Sequence, residues 1–305
     1  MKFSRSLPSI PRLIVAVTAV TLAVGVGAAV AWQRTGHNTA INTFFHYPGA
    51  LFLISAAAVE LWLSWFSWRQ FSSRETMRHA WFLIMLAAAM HLTGSIFSQV
   101  LGVDSYLNPL MYCDVPWVDA ASDSLRQIGL LIGGPLQMTM LACGLLFMLR
   151  VYRRSGLLAR LTFSDGLLIT LLALYTFREA WQVVEFIRAG KMFTAYQIIA
   201  WTSDPLLIVL LFEAICIRRA VLAMGRGLIA MCWGAFAAAI GLTALGDIGI
   251  WATWNGYLPG IAASLGWYVW FLAGAAYALG PAYQVEAFRR VEDGACETIS
   301  RSAAA

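Results

Sequence analysis

The sequence predicts an all-α, polytopic integral membrane helix bundle with eight transmembrane helices, and three observations carry the prediction. Of its 305 residues 60% are hydrophobic and only 12% charged, a balance foreign to ordinary soluble domains. Eight apolar runs reach the roughly 20 residues needed to cross a hydrocarbon core about 30 Å thick. Lysine and arginine collect in the connections on one side of those runs, as they do in loops that resist translocation.

The runs cover residues 13–32, 48–68, 79–102, 128–149, 161–186, 195–217, 227–252 and 258–284. One side gathers Lys2, Arg5, Arg12, Arg69, Arg74, Arg78, Arg150, Arg153, Arg154, Arg160, Arg218, Arg219, Arg226, Arg289, Arg290 and Arg301. The other has Arg34, Arg126, Arg188 and Lys191, with Asp104, Asp114, Asp119 and Asp123 in the loop at 103–127. Both termini are therefore expected in the cytoplasm, with the chain in the inner (plasma) membrane. The net charge of +5 reads as topology rather than as a nucleic-acid surface.

A short tail at 1–12, a single transmembrane domain at 13–284 and a tail at 285–305 exhaust the chain, with no linker dividing it. The first run has a second reading. Its basic start, apolar "LIVAVTAVTLAVGVG" and small-residue "AAVA" have the order of a cleavable signal peptide, which would leave seven spans. An apolar stretch longer than the usual signal core favours an uncleaved anchor. A faint echo links "AAAMHLTG" at 87–94 with "AAAIGLTA" at 237–244, as a four-plus-four parallel repeat would require.

Polar residues inside apolar runs are costly, at roughly 2.5–3.5 kcal/mol for a charged side chain at mid-membrane. The fifth run holds Arg178, Glu179, Gln182 and Glu185 in "LYTFREAWQVVEFIRAG". Helical spacing puts Arg178, Gln182 and Glu185 on one face with Tyr175 and turns Glu179 about 100° away. Counting outward from the connection near Lys191 brings Arg178 and Asp204 to one depth, so the two are expected to pair. The duller alternative ends the membrane near Phe177 and leaves Arg178 snorkelling beside an interfacial Trp181.

The sixth run contains "TSDPLL", a helix-start signature with Asp204 as N-cap and Pro205 at the first helical position. A helix interrupted inside the membrane is expected there, or a proline kink satisfied by Thr202 and Ser203. His91, Ser95, Ser98 and Gln99 share a face of the third run, and Asp247 nears the outer end of the seventh. An outward-facing polar cavity lined by the third, fifth, sixth and seventh runs follows as an expectation, with Trp201 at its edge. Glu60 stands apart in "AAAVELWLSW" on the cytoplasmic half, as helix-packing glue or a proton relay. Glu213 and Asp165 read as interfacial partners of Arg218 and Arg160. "GGP" at 133–135 marks a kink in the fourth run.

No phosphate-binding loop, nucleophile elbow or zinc motif is present, and only His91 is clearly at mid-membrane depth, so bis-histidine haem is not expected. Cys113, Cys143, Cys216, Cys232 and Cys296 show no metal-ligand spacing, nor do His37 and His46 with Cys113 and Asp114 specify a soft-metal site. No cofactor, metal or catalytic residue is assigned.

Three stretches carry a resemblance: "RETMRHAWFLI", "CGLLFMLRVYRRSGLLARL" and "ALGDIGIWATWNGYLPGIAASLGWYVWFLAGAAYAL". They resemble the multi-span input modules that precede histidine-kinase or diguanylate-cyclase output domains in bacterial sensor proteins. The resemblance implies a non-enzymatic sensory, ligand-binding or scaffolding module for a small or lipophilic ligand. No output domain follows in this chain, so signalling would go through a separate partner. Two rival expectations are a secondary transporter built on the interrupted sixth run, and a redox subunit holding a quinone near His91, Trp201 and Arg178.

Overall fold

The computed structural model describes residues 9–34, 39–101, 128–158, 162–191, 195–254, 257 and 260–303. Within these ranges the side chains at 28–29, 32–33, 39–50, 98–101, 195–197, 199–200, 204, 250–251, 253–254, 260–267 and 292–303 lie outside the description. The expected roles of the loop at 103–127, of His37 and His46, and of Ser98 and Gln99 therefore fall outside it as well.

Among the described residues the chain forms eight helices and no strand. They are α1 (Ile10–Arg34), α2 (Thr39–Gln70), α3 (Thr76–Leu101), α4 (Ile128–Arg154), α5 (Phe163–Arg188), α6 (Ala195–Met224), α7 (Leu228–Trp254) and α8 (Gly260–Ala303). Each apolar run of the sequence falls on one of them. Over their described residues α1, α2, α3, α4, α5 and α7 are long and apolar enough to cross a membrane. In α6 the stretch after Asp204 carries Glu213, Arg218 and Arg219, and the apolar start of α8 lies among the side chains outside the description.

Local chemistry sets the turns at the arginine-rich end. Before α3, Ser72 donates its hydroxyl to Glu75 Oε1 at 2.8 Å, and before α5 Thr162 and Asp165 form a full capping box, each satisfying helix-end groups. Gly156 after α4 (φ 71°) and Gly190 after α5 (φ 62°) adopt the left-handed conformation that lets a helix stop and the chain turn. Contacts at this end join elements distant in sequence, such as Phe71 on Phe288 at 5.4 Å. Tyr268 near the start of α8 donates to Gly25 O at 2.7 Å toward the far end of α1. The helices thus alternate in direction along the chain.

Their packing makes a closed ring: α2 on α3, α3 on α4, α4 on α6, α6 on α7, α7 on α8, and α8 back on α2. Outside the ring, α1 packs on α8 and α2, and α5 packs on α6. Advancing each label by four maps the contacts within the first half onto those within the second, and α4 on α6 onto α8 on α2. The order of packing is compatible with the arrangement expected from the "AAAMHLTG" and "AAAIGLTA" echo, except that α1 on α8 has no comparable counterpart between α5 and α4. At matching places in those segments Thr93 bonds Ala89 O at 2.9 Å and Thr243 bonds Ala239 O at 3.0 Å.

Among the described glycines, backbone closes directly on backbone between α3 and α4. A Cβ added to Gly94 would sit 2.5 Å from Gly133 Cα, and one added to Gly133 would sit 2.7 Å from Gly94 Cα. Small residues at such crossings let the backbones approach, which is where packing energy between membrane helices arises. The "GGP" kink of the sequence is a π-helical stretch over Ile132–Leu136, the extra-residue device that re-aims a helix around a proline.

One expectation is corrected, and another falls in part outside the described residues. First, α6 runs unbroken through Asp204 and Pro205, so Asp204 caps no helix start. Pro205 removes one donor to the carbonyl of residue 201, and Thr202 lies in the same turn, bonding Ile198 O at 2.6 Å. Second, Asp165 pairs with Arg219 of α6, while Arg160, its expected partner, lies outside the described residues. The hairpin brings the start of α5 beside the end of α6, and Arg219 also donates to Thr162 Oγ1 at 2.8 Å.

Candidate functional site

Glu60 and His91 meet. In the sequence they seem to belong to opposite halves of the membrane, Glu60 ten residues before the end of α2 and His91 fifteen after the start of α3. At 1.5 Å per residue their backbones are offset by about 7 Å along the axis. Side chains on a helix lean toward its N-terminus, and α2 and α3 run in opposite directions, so these two lean toward each other. His91 Nδ1 lies 2.6 Å from Glu60 Oε2, a short nitrogen–oxygen hydrogen bond.

Tyr277 of α8 closes on the pair, its ring meeting the His91 ring edge-on at 5.5 Å between centroids. The Tyr277 phenol adjoins Thr243 of α7, and the carboxyl groups of Glu60 and Asp247 are near enough to act on it electrostatically. His91 and Thr243 each lie fifteen residues into their helices, which explains why both reach one tyrosine. The cluster therefore takes Glu60, His91, Thr243, Asp247 and Tyr277 from four helices of the ring.

Toward the arginine-rich end, Trp81, Trp233 and Phe236 fill the interior, all almost wholly buried. Trp81 and Trp233 each stand five residues into α3 and α7, and their rings approach to 6.2 Å. This aromatic layer, a large apolar payload in the centre of the core, lies between the polar cluster and that end of the bundle.

Chemically, a carboxylate on Nδ1 fixes the orientation of an imidazole and assigns the other nitrogen its role. With Glu60 ionised and His91 neutral, Nδ1–H donates to the carboxylate and Nε2 is an acceptor. One added proton turns Nε2 into a donor, whether that proton resides on the carboxyl or on the ring. Among the described residues His91 Nε2 makes no hydrogen bond, and it is not one of the fully enclosed unbonded atoms.

The residues of the α5–α6 hairpin arrange differently. Arg178 lies over the Tyr175 ring at 5.3 Å, donates to the Tyr175 hydroxyl at 3.1 Å, and stands 3.3 Å from Glu179 Oε1. Glu179 thus curls back toward Arg178 despite its different helical face. Trp201 Nε1 donates to Gln182 Oε1 at 3.2 Å, tying α6 to α5, and Trp181 Nε1 donates to Glu185 at 2.8 Å. The Asp204 side chain lies outside the described residues, so its pairing with Arg178 does too. Of the residues expected to line one cavity, His91 meets Glu60 inside the ring, Gln182 and Trp201 join α5 to α6, and Arg178, Glu179 and Glu185 are held by partners along α5.

Tyr277 and Thr243 were not legible as site residues, since a tyrosine in "AAYALG" and a threonine in an alanine-rich helix look like packing. Glu213 was read as an interfacial partner of Arg218. It is buried at 6% exposure, and its Oε2 has no hydrogen-bond partner. It lies eleven residues before the end of α6, near the depth that Glu60 has ten residues before the end of α2. Among the described residues no group of three histidine, cysteine, aspartate or glutamate side chains gathers as a metal site. Comparisons with protein families, with curated proteins and with solved structures find no match.

Proposed function

We infer that the chain is an eight-helix, multi-pass inner-membrane protein, with both termini cytoplasmic, that serves as a sensory or ligand-binding module. Its ligand-contacting group is His91, held by Glu60 and flanked by Tyr277. The contact between Glu60 and His91 inside the helix ring is the observation that carries this reading. Ionisable groups within a membrane bundle are expensive and mark sites of function by default. Here the carboxylate presents Nε2 toward a hydroxyl or carbonyl of a small lipophilic ligand, and the protonation state of the pair decides which is accepted. The aromatic layer on the arginine-rich side directs access from the bilayer or from the opposite end. A separate partner carries the signal onward, as the resemblance to sensor input modules implies.

The test is chemical. Protein purified from native membranes is extracted with organic solvent and the extract compared by mass spectrometry between wild type and His91→Gln. A lipophilic compound retained by wild type and lost from a folded His91→Gln protein is the expected result. Identical extracts from both would contradict the reading. The transporter reading draws on the same pair as a proton-coupling device, and proton flux in proteoliposomes that His91→Gln abolishes would replace the sensory reading with it.

A further inference from the structure

A cavity of about 770 Å³ opens at the arginine-rich end between the starts of α1 and α7 and the middle of α8. It is remote from the polar cluster, since Gly227 and Leu228 at the very start of α7 form part of its wall. Arg12, Arg226, Arg289 and Arg290 line it, with Glu286 as the one acidic residue. Glu286 is 4% exposed and its Oε1 holds both Arg289 Nη2 at 3.4 Å and Arg290 Nε at 3.5 Å. Its other oxygen and Arg289 Nε are buried without a hydrogen-bond partner. Four guanidinia against one carboxylate leave an excess of positive charge around one enclosed, unmatched donor, Arg289 Nε, and one unmatched acceptor, Glu286 Oε2.

The rest of the wall is apolar, with Val15, Leu228 and Met231 among its residues. The volume suits a molecule of many atoms rather than a lone oxyanion. Planar guanidinium forks match phosphate oxygens in pairs, and the first N–H groups of α7 add a positive helix end on the same side. Basic pockets between helices at the membrane surface suit anionic head groups, and apolar helix faces beside them suit acyl chains. We propose that this cavity is a specific site for an anionic phospholipid, whose phosphodiester lies among Arg12, Arg226, Arg289 and Arg290 and whose chains run along α1 and α7.

The charge alone predicts loose attraction to any acidic membrane, so the test compares two arginine pairs. Full-length protein is titrated with phosphatidylglycerol or phosphatidylcholine in detergent, and bound lipid is counted by native mass spectrometry. Arg12→Gln with Arg226→Gln removes two cavity charges not engaged with Glu286. Arg153→Gln with Arg154→Gln removes two from the end of α4, away from the cavity. The proposal expects phosphatidylglycerol to bind wild type well above phosphatidylcholine, and the cavity pair to weaken it about tenfold or more. The α4 pair should change it less than about twofold. Each single variant, Arg12→Gln or Arg226→Gln, should show an intermediate loss, which keeps the test open should the double variant misfold. Equal losses from the two pairs, or no preference for the anionic lipid, would overturn the proposal. So would displacement of the lipid by glycerol 3-phosphate at equal concentration, which would mark a site for a soluble phosphate.

Discussion

His91 Nδ1 lies 2.6 Å from Glu60 Oε2, across the interface of two antiparallel helices whose backbones place the two residues about 7 Å apart in depth. The contact gives two costly residues a common reason to exist, because each offsets part of the other's desolvation.

Removing one partner leaves the other without its hydrogen bond. Glu60→Ala and His91→Ala should each destabilise the protein by about 1–2 kcal/mol, and the double variant by less than their sum, with a coupling energy of about 0.6–1.7 kcal/mol. Unfolding in graded denaturing detergent measures all three. Strict additivity would mean that the residues do not interact.

The α3–α4 crossing should be intolerant of a single methyl group. Gly94→Ala and Gly133→Ala each put a Cβ against backbone that has no side chain to yield, so a loss of about 1–3 kcal/mol is expected from overpacking. Gly241→Ala has nothing within 4 Å of the new Cβ and should be neutral or stabilising by up to about 1 kcal/mol, since alanine favours a helix. The same unfolding assay ranks the three variants, and equal effects from Gly94→Ala and Gly241→Ala would contradict the close crossing.

The α5–α6 hairpin is anchored at the arginine-rich end by Asp165, which is 1% exposed and engages both Arg219 and Thr162. Asp165→Ala should cost about 3 kcal/mol or more by leaving Arg219 without its carboxylate and undoing the capping box, whereas Thr162→Ala should cost about 1 kcal/mol. Limited proteolysis in the connection before α5 reports the local loosening. A fully resistant Asp165→Ala protein would show that the anchor contributes little.

Along α5 the exposed large apolar residues continue past Arg178, through Trp181, Val184 and Ile187. They follow Leu167, Leu171, Leu174 and Phe177 at helical spacing, which makes one stripe of the kind that faces lipid. The membrane boundary is thereby predicted near Ile187 rather than near Phe177, with Arg178 stacked over the Tyr175 ring although its side chain is 55% exposed. A spin label at Val184 should be more accessible to oxygen than to a water-soluble nickel chelate. The reverse ranking would move the boundary back to Phe177.

Much of the fold was legible in residue order because bilayer thickness dictates helix length and arginine placement dictates which turns share an end. Gly133 and Pro135 announced the irregularity in α4, although not its π-helical form. The site was less legible for three physical reasons. Counting residues along the chain places Cα atoms, whereas Glu60 and His91 meet through side chains that lean in opposite directions. A helix-start signature at Asp204 and Pro205 describes local preference, and continuous packing of α6 in the ring overrides it. The closure of α8 on α2, which delivers Tyr277, joins elements about 200 residues apart, and no local pattern encodes it.

The account stands most directly on the Glu60 to His91 contact, and nitrogen-15 NMR of histidine-labelled protein in lipid nanodiscs tests it. The chain has four histidines. The account predicts that Glu60→Gln shifts the ring nitrogens of His91 strongly, as the charged acceptor on Nδ1 is lost, and leaves those of His79 unchanged. His91 ring signals that are the same in wild type and Glu60→Gln would contradict it.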